Sequence, residues 1–273
     1  MKKKVAFIMT VYRNDKLEYF KEAVESIAKQ DYGFENINIY LGIDGKIPND
    51  IEMYINENSN AFYKIIRNSK NMGLAYTLNR LIENLEDEEY IFRMDSDDIC
   101  RNDRVSKQMN EFKKNKELVL IGSDIIEIDE NNQFIRYKKM PINIKEIIKY
   151  SIVRNPFNHP TVAFKKEFFT KVGLYNESYI KSQDYELWSR ALKKGIIVKN
   201  INSPLLYFRI TNNYISKRNS FENYINEYKI SMELMKFFKM YNQLPKIYLK
   251  LFIRMMPSYI GKIAYKIIRN KIT

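Results

Sequence analysis

The sequence predicts an α/β fold, a mostly parallel central sheet flanked by helices, followed by a C-terminal helical extension. Two observations carry the prediction. The first half alternates short apolar runs with segments whose apolar residues recur at helical spacing, the pattern of βαβ units. The last fifty-odd residues lose that alternation and read as helices with a broad apolar face.

The elements justify this in order. VAFIMTVY (5–12) is an apolar run suited to a buried strand. KLEYFKEAVESIAKQ (16–30) places Leu17, Phe20, Val24, Ile27 and Ala28 on one helical face. NINIYLGID (36–44) is a second strand, residues 50–58 a short helix and FYKIIRN a third strand. Asn71-Met72-Gly73 then punctuates the passage to the helix LAYTLNRLIENL, and YIFRMD (90–95) is the next strand. Beyond Arg104 the order loosens. RVSKQMNEFKKN and INIKEIIKYSI are helical, LVLIGSDIIEID and QFIRYKK are strands, and HPTVAFKKEFF mixes both signals. DYELWSRALKKG is a helix closed by Gly195, and IIVKNI and LLYFRI are two late strands.

The totals bound the function. With 273 residues the chain can build one large core, and its 45% hydrophobic content is that of a globular protein. One cysteine, Cys100, excludes an internal disulfide framework and a cysteine-rich zinc site. The N-terminal apolar run is short, meets charge at once and has no small-residue cleavage site, so it does not read as a signal peptide. No apolar run is long enough to span a bilayer. These features predict a cytoplasmic protein. The formal net charge is +13, and residues 217–273 hold twelve Lys or Arg against three Glu, +9 of that total. Charge gathered at one end, amid an apolar pattern, predicts an attachment surface and argues against a nucleic-acid partner.

The chemistry centres on FRMDSDDICRNDR (92–104). Asp95, Asp97 and Asp98 crowd the carboxyl end of a predicted strand, the edge where open α/β sheets bind ligands. Like charges this close repel. An all-oxygen set there suits Mg²⁺ or Mn²⁺. An EF-hand loop starting at Asp95 would need Gly and Glu where Cys100 and Ser106 stand. A haloacid-dehalogenase-type phosphatase would carry its Asp-x-Asp on the first strand, before a small-residue Thr turn. The triplet alone leaves a metal site and a solvated turn with Asp98 as a helix cap both open.

Ordered stretches elsewhere add to it: TVYRND, LGIDGK, NMGLAYTLN, MDSDDICRNDRVSKQ, NPFNHPTVAFKK, GLYNESYIKSQDYELWSRAL and LLYFR. Together, over roughly residues 5–210, they resemble the family 2 glycosyltransferases, inverting enzymes of the GT-A fold. The narrower likeness is to bacterial transferases that build capsule, lipopolysaccharide or related surface glycans from nucleotide sugars.

The resemblance implies a role for each matching position. Thr10, Val11 and Tyr12 line the base pocket, and Asp44 accepts a hydrogen bond from the uracil N–H. Asn71 and Gly73 shape a loop against the nucleotide. Asp95 faces the ribose or a metal-bound water, Asp97 ligates Mn²⁺ or Mg²⁺, and Asp98 holds the following loop through Arg104. Asp184 matches the catalytic base, with Gln183 in place of the usual Glu and Glu186 as a second candidate. Helical spacing sets Trp188 on the face of Asp184, beside the acceptor. His159, the only histidine, is expected near the diphosphate or the acceptor. The implied partners are a nucleotide-sugar donor, UDP-sugar favoured, and a glycan or lipid-linked acceptor. A nucleotidyltransferase is the alternative, but it usually shows a Gly-rich first loop, and TVYRND has no glycine.

The division is therefore a catalytic domain over 1–215 and a basic amphipathic extension over 216–273. In the extension Lys246, Lys250 and Arg254 stripe one helix face, and Lys262 and Lys266 resume the spacing after Pro257. Such a stripe predicts either a helix in an anionic membrane interface, peripheral at the inner face of the cell membrane, or a helix packed on the catalytic domain with its lysines outward.

Overall fold

The structure, a computed structural model, describes residues 2–211 and 221–255. Its elements run β1 (Val5–Val11), α1 (Leu17–Ala28), β2 (Ile37–Asp44), α2 (Asn49–Glu57), β3 (Lys64–Asn68), α3 (Leu74–Glu83), β4 (Tyr90–Met94) and β5 (Ile99–Cys100). They continue through α4 (Arg104–Lys114), β6 (Leu120–Ile128), β7 (Phe134–Lys138), α5 (Ile144–Ser151), β8 (Ala163–Lys165), α6 (Glu167–Val172) and α7 (Gln183–Lys193) to β9 (Val198–Arg209). Helices α8 (Phe221–Phe237) and α9 (Leu244–Met255) follow.

The strands form one sheet in the order β3-β2-β1-β4-β8-β6-β9-β5, with β7 on β6. The β3-β2-β1-β4 half is parallel throughout. Beyond β4 the sheet is mixed, since β8 runs antiparallel to both β4 and β6 while β9 runs parallel to β6. Alternate residues of a strand face opposite sides, and here both sides are covered. Val5, Phe7 and Met9 of β1 pack with Phe20 and Val24 of α1 and Phe112 of α4. Ala6 and Ile8 pack on the other side with Leu78 of α3, Phe168 of α6 and Trp188 of α7. That two-sided burial is why β1 reads as an unbroken apolar run.

Two strand expectations change. Residues 198–209 form one strand, not two. Pro204, between the two apolar runs, lies opposite Asp124 where the β6–β9 register shifts, a point at which a strand tolerates a missing N–H. β5 is too short to carry a periodic signal, and it pairs antiparallel with Leu206 and Tyr207 of β9.

The extension packs on the catalytic part. Ile230 and Leu234 of α8 and Ile247 of α9 bury against Ile152 and Tyr185, and Tyr185 Oη donates to the Ser151 carbonyl. The lysine stripe divides. Lys246 is exposed, whereas Lys250 turns inward to pair with Glu227 at 2.7 Å and donate to the Val153 carbonyl at 2.7 Å. The outer face is instead apolar, with Tyr248, Leu249 and Phe252 at 49%, 55% and 62% exposure. Pro257, Lys262 and Lys266 lie outside the described residues. No helix among the described residues is long and apolar enough to cross a membrane.

Candidate functional site

The parallel register sets the carboxyl ends of β1, β2 and β4 side by side. Met9 aligns with Met94, and Thr10 and Val11 align with Gly42 and Ile43. Residues 10–12, Asp44 and Asp95–Asp98 therefore emerge at one edge, where β4 has a parallel neighbour on one side and an antiparallel one on the other. Strand order changes there, which is where such sheets bind ligands.

Asp44 ends β2 and is 5% exposed. Its Oδ1 accepts from Met72 N–H at 2.7 Å and Asn68 Nδ2 at 2.9 Å, and its Oδ2 accepts from Gly73 N–H at 2.9 Å. Asn71 Nδ2 reaches the Asp44 carbonyl at 3.4 Å. Asp44, Asn71 and Gly73 thus come together as one loop assembly in which the carboxylate holds the 71–73 backbone. Glycines are needed on both sides of the contact. Gly73 has φ 94°, and Gly45 has φ 81° with a would-be Cβ 2.6 Å from Asn71 N. Thr10 and Tyr12 are half-buried and Val11 is buried.

Asp95, Asp97 and Asp98 offer carboxylate atoms all within 4.8 Å of one another. Asp98 is fully buried, and its Oδ2 has no hydrogen-bond partner. Burial first, then the charges of Asp97 and Asp95, push its carboxyl well above the usual range. Three hard oxygen donors with one buried oxygen unsatisfied fit Mg²⁺ or Mn²⁺. Two buried arginines grip the triad. Arg93 pairs with Asp95 Oδ1. Arg209, at the end of β9, donates its backbone N–H to Asp98 Oδ1 at 2.9 Å and its Nε to the Asp97 carbonyl at 2.9 Å. Its guanidinium also lies 4.1 Å from the Tyr19 ring centre. Asp98 therefore holds its loop through Arg209, not Arg104. Arg104 lies beneath, donating to the Arg93 carbonyl at 2.8 Å and stacking near Phe7 and Phe92.

A fourth carboxylate joins this edge. Asp15 accepts from Tyr12 N–H at 2.9 Å. Burial, with smaller contributions from Asp97 and Asp95, pushes it up to about 7. It stands in TVYRND, so its motif was visible, but nothing in the spacing brings residue 15 to residue 97.

Asp184 sits in the first turn of α7, where the helix dipole favours a carboxylate. Its Oδ2 accepts from Asn155 Nδ2 at 2.6 Å and its Oδ1 from Tyr185 N–H at 2.8 Å. It is half-buried. Glu186 is engaged by Arg190 Nε at 2.7 Å, and that guanidinium also holds the carbonyls of Val172 and Leu174, a structural clamp.

Two expected contact residues lie deeper. Trp188 is 0% exposed and packs on Phe157, His159, Phe164 and Phe168, so it offers no surface to an acceptor. His159 is buried, its Nε2 2.8 Å from Tyr175 Oη. Burial and the Arg93 charge depress its pKa well below the ordinary value, so it carries no charge to offer a diphosphate. Helical spacing had placed Trp188 beside Asp184 but could not say which side of α7 meets the sheet. Tyr175 is itself buried, its backbone N–H donating to Asn79 Oδ1 at 2.9 Å.

Known proteins resemble this chain. The family model described as Glycosyl transferase family 2 matches residues 6–173. An uncharacterized glycosyltransferase of Haemophilus influenzae is 31% identical over 85% of this chain and 84% of its own length. An Escherichia coli UDP-Gal:alpha-D-GlcNAc-diphosphoundecaprenol beta-1,3-galactosyltransferase is 31% identical over 98% of this chain and 97% of its own. Among solved structures, S. aureus TarS 1–349 in complex with UDP-GlcNAc superposes with a TM-score of 0.61 at 13% identity, covering 94% of this chain and 82% of that one. Against a longer TarS structure this chain spans half the length, with a TM-score of 0.62. The chain therefore belongs to glycosyltransferase family 2 and has the GT-A fold.

Proposed function

We propose that this enzyme transfers a sugar from a UDP-sugar, with inversion, to a glycan or lipid-linked acceptor in bacterial surface-polysaccharide synthesis. One observation carries the reading: the carboxylate triad ends β4 beside the Asp44-held loop, and Asp184 stands in the first turn of α7 with its carboxylate held by Asn155. The relatives support the substrate class, since one is named for a UDP-sugar and an undecaprenol-diphosphate-linked acceptor and another for amylovoran biosynthesis in Erwinia amylovora.

In this reading Thr10, Val11, Tyr12, Asn71 and Gly73 border the nucleotide. Asp44 keeps the 71–73 loop in place and directs the remaining lone pair of Oδ2 to the base. Asp97 is the principal metal ligand, with Asp95 toward the ribose side. A bound Mg²⁺ or Mn²⁺ would supply positive charge against the leaving diphosphate. Asp184 takes the proton of the acceptor hydroxyl as that oxygen attacks the anomeric carbon from the face opposite the nucleotide, and Asn155 holds the carboxylate in the orientation that receives it. His159 and Trp188 support α7 from beneath.

We assign catalysis to residues 1–215 and attachment to 216–273. The exposed Tyr248, Leu249 and Phe252, with the +9 charge of residues 217–273, suit an anionic membrane surface. Docking there would hold the enzyme at the inner face of the membrane, near a lipid-linked acceptor.

The test is a panel of nucleotide sugars with and without Mn²⁺. Metal-dependent release of UDP, with a product anomer opposite to the donor by NMR, is expected. Pyrophosphate release from a nucleoside triphosphate and a sugar phosphate would establish a nucleotidyltransferase instead, and a retained anomer would overturn inversion.

A further inference from the structure

We propose that Arg93 is a positioning residue whose buried guanidinium holds the Asp95 carboxylate and restrains the triad's pull on a divalent cation until the nucleotide diphosphate arrives. The proposal rests on the reading of Asp95, Asp97 and Asp98 as the metal site.

Arg93 lies on β4, two residues before Asp95, and its side chain is 2% exposed. Its Nη2 pairs with Asp95 Oδ1. Its Nε and Nη1 are buried with no hydrogen-bond partner. Leaving two guanidinium donors unsatisfied in the core is costly. A hydrophobic residue would fill a central strand with no such cost, so the cation is held for its charge.

Three consequences follow for the site. One oxygen of Asp95 is already committed, so Asp95 meets a cation with its other oxygen or through a water, while Asp97 is the direct ligand. The triad with its counter-charge presents roughly one negative charge fewer than three bare carboxylates, which weakens capture of a free dication. The diphosphate then supplies the missing negative charge, so metal and donor bind as a pair.

The experiment measures Mn²⁺ binding to the full chain without nucleotide, by calorimetry and by electron paramagnetic resonance, beside transfer kinetics and melting temperature. Arg93→Met is expected to bind free Mn²⁺ about tenfold more tightly, because it deletes a positive charge near the triad. Its kcat should fall more than its donor KM changes, because Asp95 is no longer oriented. Arg93→Lys should keep free Mn²⁺ affinity within about twofold of wild type and recover part of kcat. A merely structural role would loosen the site and weaken the metal, the opposite sign. Should Arg93→Met fail to fold, Arg93→Gln carries the same expectation of tighter free-metal binding. Unchanged or weaker Mn²⁺ binding in the folded uncharged variant would overturn the proposal. A wild-type protein that takes up no Mn²⁺ with or without UDP would overturn the metal-site reading itself, and this proposal with it.

Discussion

Asp44→Asn keeps the size of a side chain but not its pattern of acceptors. In the native protein Oδ1 serves Met72 N–H and Asn68 Nδ2 and Oδ2 serves Gly73 N–H, so both oxygens face donors. An amide has one oxygen. With the NH₂ group at the Oδ2 position it faces the Gly73 N–H, and at the Oδ1 position it faces two donors, so the better orientation loses one charge-assisted hydrogen bond and the survivors become neutral. The position is 5% exposed, so water cannot repair the loss. A hydrogen bond to a charged group contributes about 1.5–3 kcal/mol, and with the weakened survivors the expected loss is about 3 kcal/mol. For a chain of this size that corresponds to a fall in melting temperature of roughly 6–12 °C. Differential scanning calorimetry of the ligand-free protein measures it, with UDP titrations alongside. A melting temperature within about 2 °C of wild type, paired with lost UDP affinity, would refute the reasoning. It would mean that the carboxylate contacts the base and does little for the loop.

Asp184→Asn should lower transfer by about 10²–10⁴-fold while calorimetric UDP affinity stays within about twofold, and turnover above a tenth of wild type would place the base elsewhere. Asp97→Ala should make UDP binding insensitive to Mn²⁺, and a persisting metal effect in the titration would remove Asp97 as the ligand. Asp15 tests pH linkage in metal-free buffer. Its folded carboxyl is raised to about 7 from an ordinary 3.8, so the fold favours the protonated form. Its stability contribution is complete below 3.8 and is lost as pH rises through 7. Asp15→Asn should gain in melting temperature relative to wild type between pH 5 and 8, and parallel curves would contradict the assignment. Leu249→Ser with Phe252→Ser alters only exposed side chains, and it should abolish co-sedimentation with anionic vesicles while sparing activity on a soluble acceptor.

Much of the site could be read before any coordinates because its residues sit in local patterns. Asp95–Asp98 follow an apolar run, Asn71-Met72-Gly73 marks a strand-to-helix turn, and Asp184 opens a helix. What could not be read is pairing across the fold. The Arg93–Asp95 ion pair joins two members of one quoted motif, yet an arginine in a strand reads as an edge or solvent-facing residue until its neighbours are known. Trp188 and His159 were drawn toward the substrate by spacing and motif, and the core claimed both, because the rotation of α7 is set by Phe164 and Phe168, which come from elsewhere in the chain. Lys250 faced inward for a similar reason, since its partner Glu227 lies on another helix.

Arg209 has a consequence for how the protein is made. Its hydrogen bonds to the 97–98 loop span 111 and 112 residues, and its ion pair to Glu22 spans 187. β9, which ends in Arg209, is an interior strand flanked by β6 and β5, so the sheet is incomplete without it. A nascent chain can thread β1 to β4 early, yet it emerges with three crowded carboxylates and no clasp on their loop until residue 209 has left the ribosome. Contacts of such long range form late. The 97–98 loop should therefore take its final form only after residue 209 has emerged. The same closure gives a half-made enzyme no means of acting on the cell's nucleotide sugars.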